Sequence, residues 1–279
     1  VICLCATGGG GGASGVEILA GGTCSVYRCL VNNAAAGNYA AALGGSCNIS
    51  TGNYTATVGG CCNIHCANTS FGGMLNGCQN KINASSGSGY YGFFNNIING
   101  GCNTISALYG YNNTIVGGCC NKIGVLFDDA IDSVILSGCK NSIDRFKNII
   151  GGGCLNSISG CNSVILNGDC NNINTQHHIF IGNGCCNNAS GIYGTISNGY
   201  CNTASCNYTT TLNGFCNTNS GYGATIVNGS WNCTESTYSV IVQGNCNCLL
   251  TSSSNSSIVN GCCNTIQCCS LRNTIANGC

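Results

Sequence analysis

Proline is absent from this chain of 279 residues, and charged residues make up 5% of it, where about 25% is usual. Disordered segments are typically rich in proline and net charge, so the composition argues against disorder. Seven Lys+Arg balance seven Asp+Glu, for a formal net charge of +0. That leaves no basic footprint for nucleic acid or an anionic membrane. It also leaves little self-repulsion to keep copies of the chain apart. No stretch approaches the ~18 consecutive apolar residues of a membrane-spanning helix. The opening VICLCATGGGGG lacks the basic start of a secretory signal, and the chain does not begin with Met, as expected of a processed product or an interior piece.

Acids are equally scarce. They are Glu17, Asp128, Asp129, Asp132, Asp144, Asp169 and Glu235. Only Asp128, Asp129 and Asp132 cluster, and the expected reading is a solvated loop, with Ca²⁺ as the alternative. A Ca²⁺-binding nonapeptide roll needs Asp in each repeat. Solenoid enzymes acting on polysaccharide need a group of acids on one face. Neither pattern is present. His65, His177 and His178 have no recurring acid partner, and the many serines lack a general base. The expectation is therefore no catalytic residue, no metal and no cofactor.

What the chain does have is glycine (44), cysteine (29) and a period. A glycine lies three residues before a recurring asparagine at Gly45, Gly60, Gly77, Gly100, Gly118, Gly138, Gly153, Gly168, Gly184, Gly199, Gly214, Gly229, Gly244 and Gly261. From Gly138 to Gly244 the steps are 15, 15, 16, 15, 15, 15 and 15. Isoleucine usually stands three before the glycine, as in Ile97, Ile115, Ile150, Ile196 and Ile241. A second apolar slot follows two after the asparagine, as in Ile82, Ile105, Ile143 and Ile173. Two β-branched anchors separated by Gly and Asn corners read as two short strands and two turns per unit. One such unit cannot bury its apolar edge. Stacked units bury Ile on Ile and pair each strand with the next.

The expected fold is therefore all-β: a parallel β-solenoid, a β-roll or β-helix with ~15-residue coils stacked ~4.8 Å apart. Roughly sixteen units at that spacing make a rod about 75 Å long. Residues 1–44 read as an irregular part or cap and residues 45–279 as regular repeats of a single elongated domain. Longer steps mark insertions near residues 83–95 and 124–132, and the region 34–42 also reads as a loop. Glycine at the corner tolerates positive φ. The asparagine column Asn141, Asn156, Asn171, Asn187, Asn202, Asn217, Asn232, Asn247 and Asn264 is expected to stack as a side-chain amide ladder, with turn capping as the alternative.

Cysteine density near a tenth of the chain points to an oxidising setting. The odd total leaves at least one thiol without a mate inside this chain. Most cysteines fall one or two residues after the glycine. Candidates for a disulfide ladder are Cys47, Cys62, Cys102, Cys120, Cys139, Cys154, Cys170, Cys186, Cys201, Cys216, Cys246 and Cys263. Equivalent Cα atoms ~4.8 Å apart lie inside disulfide range. Bridging between chains and buried unpaired thiols are the alternatives. The segment CCNIHC (residues 61–66) carries soft ligands and one histidine, but no C-x-x-C pair occurs. Adjacent Cys-Cys is expected to point to opposite faces of a strand, so a metal site is not expected. N-x-S/T sequons, at Asn48, Asn53, Asn83, Asn188, Asn207, Asn228 and Asn255 among others, are glycosylation acceptors weakly supported by composition.

The segments NSVILNGDCNNI (residues 162–173), TIVNGSWNCTESTYSVIVQGNCN and SIVNGCCNTI are similar to the head repeats of trimeric autotransporter (YadA-like) adhesins. They are also similar to related repeats of bacterial, phage and giant-virus fibre proteins. The resemblance covers residues 45–279 and is one of repeat grammar; the chain departs from it in a longer period and many more cysteines. It implies a left-handed parallel β-roll, three chains side by side, on an exposed surface.

The functional expectation is a structural fibre, filament or adhesin segment on a virion or cell surface, extracellular and not an enzyme. It would be a rigid, cysteine-stapled rod that assembles with copies of itself, as a trimer or end-to-end filament. A host receptor or glycan is a further partner; nucleic acid and membrane insertion are not expected. Tyr90, Tyr91, Phe93 and Phe94 are candidate surface contacts, or cover for an end or edge. The alternative is a non-assembling binding module such as an ice-binding β-solenoid, using the Thr195, Thr210 and Thr225 column, which Val134, Val164 and Val240 interrupt.

Overall fold

A computed structural model of the chain describes the backbone of residues 16–18 and 26–28, and residues 32–67, 69–83, 92–106, 111–124, 130–174, 176–267 and 269–279. The chain divides into two compact units, Val1–Lys147 and Asn148–Cys279. Each is an all-β parallel solenoid with about 15 residues per coil, as the repeat predicts.

Each coil contributes two strands of two or three residues. In the first unit one sheet runs through Ala41–Ala42, Ala56–Thr57, Gly73–Met74, Asn96–Ile97, Thr114–Ile115 and Val134–Ile135, all parallel and in register. The other runs from Ala34–Ala35 to Ser142–Ile143. In the second unit the corresponding sheets run from Ile149–Ile150 to Thr274–Ile275 and from Ser157–Ile158 to Thr265–Ile266. One antiparallel pair, Val16–Ile18 with Val26–Arg28, departs from this pattern. A short extra pair joins Thr69–Ser70 to Gly92–Phe93.

The loop expected over residues 34–42 is instead a regular coil. Ala35 and Ala42 are buried where later coils bury isoleucine, and Ala40 is buried just before the second strand. Alanine fills the same slot with little apolar signal, which hides the period there.

Strands this short carry one inward residue each, and that residue is usually isoleucine. Ile82, Ile97, Ile105, Ile115, Ile150, Ile196 and Ile241 are fully buried. Full burial of such a side chain contributes about 1.5–3 kcal/mol over exposure.

One coil shows how the backbone closes. Thr195 and Ser197 donate to Thr209 O and Thr211 O of the next coil, at 2.9 and 3.0 Å. Gly199 then adopts φ +120°, where an added Cβ would collide with Asn202 Nδ2 and Gly214 O. Tyr200 N reaches forward to Gly214 O, while Cys201 N reaches back to Cys185 O. The reversal comes from Cys201 itself, at φ 53°. A second left-handed residue, Tyr208 at φ 59°, repeats the trick at the opposite corner and donates back to Ile192 O. These positions accept Cys, Tyr, Phe, Asn, Lys, Leu, His and Trp, but no Val, Ile or Thr among the described residues. Branching at Cβ crowds the left-handed conformation, whose cost is already about 1–2 kcal/mol.

Inside the Gly corner lies the asparagine column. Asn217 Oδ1 accepts from Asn232 N at 3.0 Å and Asn232 Nδ2 at 3.1 Å. Its own Nδ2 donates to Asn202 Oδ1 (3.1 Å) and Gly229 O (2.9 Å). Amide-to-amide bonds of this kind link Asn171, Asn187, Asn202, Asn217, Asn232, Asn247 and Asn264 in turn. Asn156 Oδ1 accepts from Asn171 N, and Asn141 N donates to Asn121 Oδ1. The same side chain also satisfies corner carbonyls, so stacking and capping are one arrangement.

Replacing Asn217 with Ala should destabilise the second unit by about 3 kcal/mol, because the buried Asn232 N–H, Asn202 Oδ1 and Gly229 O each lose a partner. Urea unfolding followed by circular dichroism measures this.

His65 occupies an inward slot with neither ring nitrogen hydrogen-bonded. Burial pulls its pKa down from 6.5 to about 3. The unfolded chain therefore binds the proton that the folded chain refuses, and stability falls as pH drops from 6.5 towards 3. Stability at pH 5 should be about 2 kcal/mol below that at neutral pH. His65→Leu should remove that slope, as seen by urea titrations across the range.

Candidate functional site

Among the described residues the inward-facing side chains are taken up by packing and by ladders, which leaves the outward columns as candidate sites. Three columns stand out: the thiol corner, the aromatic corner and one flat face.

At the thiol corner, the residue one past the glycine pairs with its counterpart on the next coil, as in Cys61 with Cys78 and Cys119 with Cys139. The residue two past it is left-handed at Cys47, Cys62, Cys102, Cys120, Cys170, Cys186, Cys201, Cys216, Cys246 and Cys263. Cys139 and Cys154 belong to the first of these positions. The described cysteines stand as thiols. The expectation that adjacent cysteines point to opposite faces fails here. The left-handed second residue turns its side chain back beside the first, so the sulfurs of Cys119 and Cys120 lie 3.3 Å apart and those of Cys185 and Cys186 3.2 Å. Both lie outside the coil. Strand alternation does not apply at a corner.

A touching thiol disfavours ionisation at Cys119 and at Cys186. The hydrogen bond from Cys120, then desolvation, pushes Cys119 up to about 11, and Cys185 and desolvation do the same to Cys186. Cys233 and Cys248 face each other outside the second sheet, on paired strands. Their distance from the Gly corner hid them from the column count. Desolvation, reinforced by Cys248 and Glu235, pushes Cys233 up to about 12.

At the opposite corner many of the left-handed side chains are aromatic, and these stack. Ring centroids of Tyr39, Tyr54 and Phe71 lie 4.8 Å apart in succession, and Phe94 continues at 5.4 Å. Phe93 packs on Tyr111 at 5.4 Å. In the second unit the run is His178, Tyr193 and Tyr208, at 4.9 and 5.2 Å. Tyr222 and Tyr238 extend it edge to face. The spacing of Tyr193, Tyr208 and Tyr238 repeats the coil length and could have revealed this column. Phe94 is half exposed within it; Tyr90 and Tyr91 lie outside the described residues.

The flat face is the outside of the first sheet. The residue after each inward anchor is exposed and aliphatic in the first unit: Leu43, Val58, Leu75, Ile98, Val116 and Leu136. A shallow groove is lined by Gly73, Leu75, Asn96, Ile98 and Thr114. In the second unit Leu166, Val242 and Val259 are exposed in the same column. Thr195, Thr210 and Thr225 pair in register on this face, between Phe180 and Val240.

Among the described residues no three His, Cys, Asp or Glu side chains gather in metal-binding geometry. Asp132 accepts from Asn112 Nδ2 at 2.8 Å, while Asp128 and Asp129 lie outside the described residues. Comparison with known protein families and with curated proteins finds no match.

In the fully reduced protein, Cys233 should alkylate at least a hundredfold more slowly at pH 8 than in urea, because a thiol near 12 holds about a thousandth of the thiolate of one near 9. Mass spectrometry of timed iodoacetamide quenches reads the rate.

Proposed function

We propose that this chain is a segment of a structural fibre or adhesin on a virion or cell exterior, stapled through its corner cysteines, that associates with copies of itself. The observation carrying this reading is the outward aliphatic column Leu43, Val58, Leu75, Ile98, Val116 and Leu136, which has no charged residue in it. A run of exposed apolar side chains on a flat sheet marks an interaction surface. A surface that repeats every coil is matched by another surface of the same repeat. The near-absence of charge across the chain removes the usual guard against such pairing. The resemblance to adhesin and fibre repeats points the same way, and cysteine density fits an oxidising exterior.

An ice-binding role has less behind it. The run Thr195, Thr210 and Thr225 is three coils long and bounded by Phe180 and Val240, so the flat threonine array is short.

Replacing Leu75 and Ile98 together with Glu should weaken self-association at least tenfold while leaving the circular dichroism spectrum unchanged. Sedimentation velocity reads the first and electron microscopy the resulting particles. A wild-type chain that sediments as a monomer at all concentrations, with and without reductant, would sink the assembly reading.

A further inference from the structure

The corner cysteines are not scattered along their columns. In the first unit, the left-handed column reads Cys47, Cys62, Gln79, Cys102, Cys120, Lys140. The bridging column beside it reads Ser46, Cys61, Cys78, Gly101, Cys119, Cys139. Cysteines thus come as neighbouring twos, with a different residue closing each run. The twos in the two columns are offset by one coil. Three successive coils therefore read x-Cys, Cys-Cys, Cys-x, and the pattern occurs twice in this unit. It occurs a third time in the second unit, with Cys246, then Cys262 and Cys263, then Cys279. There the left-handed column also holds a run of four, Cys170, Cys186, Cys201 and Cys216, ended by Leu155 and Trp231. Apart from Cys154 and Cys185, beside Asp169 in the bridging column, every run in these two columns among the described residues is even. Thiols serving as small hydrophobes have no reason to be even in number, and among the described residues no three gather in metal-binding geometry.

Thiols approach one another along the columns as well as between adjacent residues. Cys61 and Cys78 sulfurs lie 2.8 Å apart. In the left-handed column, desolvation and then the column neighbour raise the thiol pKa of Cys62 (beside Cys47), Cys170 (beside Cys186) and Cys216 (beside Cys201), and Cys201 adds to the rise at Cys186. Column neighbours on stacked coils are ~4.8 Å apart at Cα, within the 4.4–6.8 Å that a disulfide accepts. Sequence neighbours such as Cys119 and Cys120 are about 3.8 Å apart at Cα, below that range, even though their sulfurs touch.

We propose that these thiols close up the columns into crossed clips, each fastening a middle coil to the coil before and the coil after. The pairs are Cys47–Cys62 with Cys61–Cys78, Cys102–Cys120 with Cys119–Cys139, and Cys246–Cys263 with Cys262–Cys279. The run of four closes as Cys170–Cys186 and Cys201–Cys216. The oxidant is a low-molecular-weight disulfide. One corner thiolate attacks it and expels a small thiolate, leaving a mixed disulfide; the column neighbour attacks the protein sulfur and expels the second. Two protein thiols are oxidised, one small disulfide is reduced to two thiols, and the two protons pass to the leaving thiolates. This inference rests on the stapled reading above and assigns its pairing.

The test uses the whole chain, equilibrated with oxidised and reduced glutathione, alkylated, digested without reduction and mapped by mass spectrometry. The wild type should give peptides around Cys47, Cys61–Cys62 and Cys78 linked as one species. In Cys102→Ser, Cys120 should become alkylated while Cys119–Cys139 persists; in Cys139→Ser, Cys119 should become alkylated while Cys102–Cys120 persists. Reducing the wild type should speed proteolysis at least tenfold. Links between adjacent cysteines, links between chains, thiols protected only when zinc is added, or thiols that all stay alkylatable would each overturn the pairing. Links between chains would do so while leaving assembly standing, which sedimentation of the same sample reads separately. If a serine variant fails to fold, the wild-type map decides alone.

Discussion

Strands of two or three residues cannot hold a chain in place by themselves. What holds them is the bond each backbone N–H makes to a carbonyl of an adjacent coil, such as Thr203 N to Asn217 O at 2.8 Å. That bond fixes the coil spacing and puts like positions above like positions. Everything else follows from this stacking constraint. An inward isoleucine meets an isoleucine, an asparagine amide meets an asparagine amide, and a corner thiol meets a corner thiol. The exceptions are local. Where Thr57, Thr211 and Thr234 take inward slots, their hydroxyls are buried without a hydrogen-bond partner.

The corners carry a second constraint. A strand that ends after two residues must turn at once while keeping its bonds to the adjacent coils. Glycine at φ from 68° at Gly45 to 128° at Gly261, followed two residues later by a left-handed residue, accomplishes this. The left-handed residue sends its N–H back to the preceding coil and its side chain outward. Two such residues per coil therefore generate two outward columns, one mostly thiol and the other often aromatic. Conformational strain at the corner and the surface chemistry of the protein thus share a cause. Stacked rings at 4.8 Å help offset the cost of holding those residues at positive φ.

The period, the Ile slots, the Gly corner and the Asn column were legible because each depends on a residue type that few others can replace. Ile196 and Ile226 mark the core, Gly199 and Gly214 the turns, and Asn202 and Asn217 the inner rail. The first coils were not legible, because Ala35 and Ala42 fill inward slots without a distinctive hydrophobic signature. The aromatic column was missed because its φ requirement excludes branched residues but admits many others, so Tyr208, Asn162 and Lys147 share a position without sharing chemistry. Cys233 and Cys248 were missed because they sit on a strand rather than at the corner.

The sequence by itself therefore determined the repeat length, the parallel all-β class and most inward residues, since the inward residue of a strand is usually apolar and the thiol corner of each coil takes a glycine. Only the tertiary structure decided the directions of the outward side chains. Adjacent cysteines such as Cys119 and Cys120 look opposed in a strand, yet a left-handed second residue brings their sulfurs within 3.3 Å on the same edge. Direction at a corner depends on φ, and φ at that position is set by the coils above and below it, which no single repeat contains.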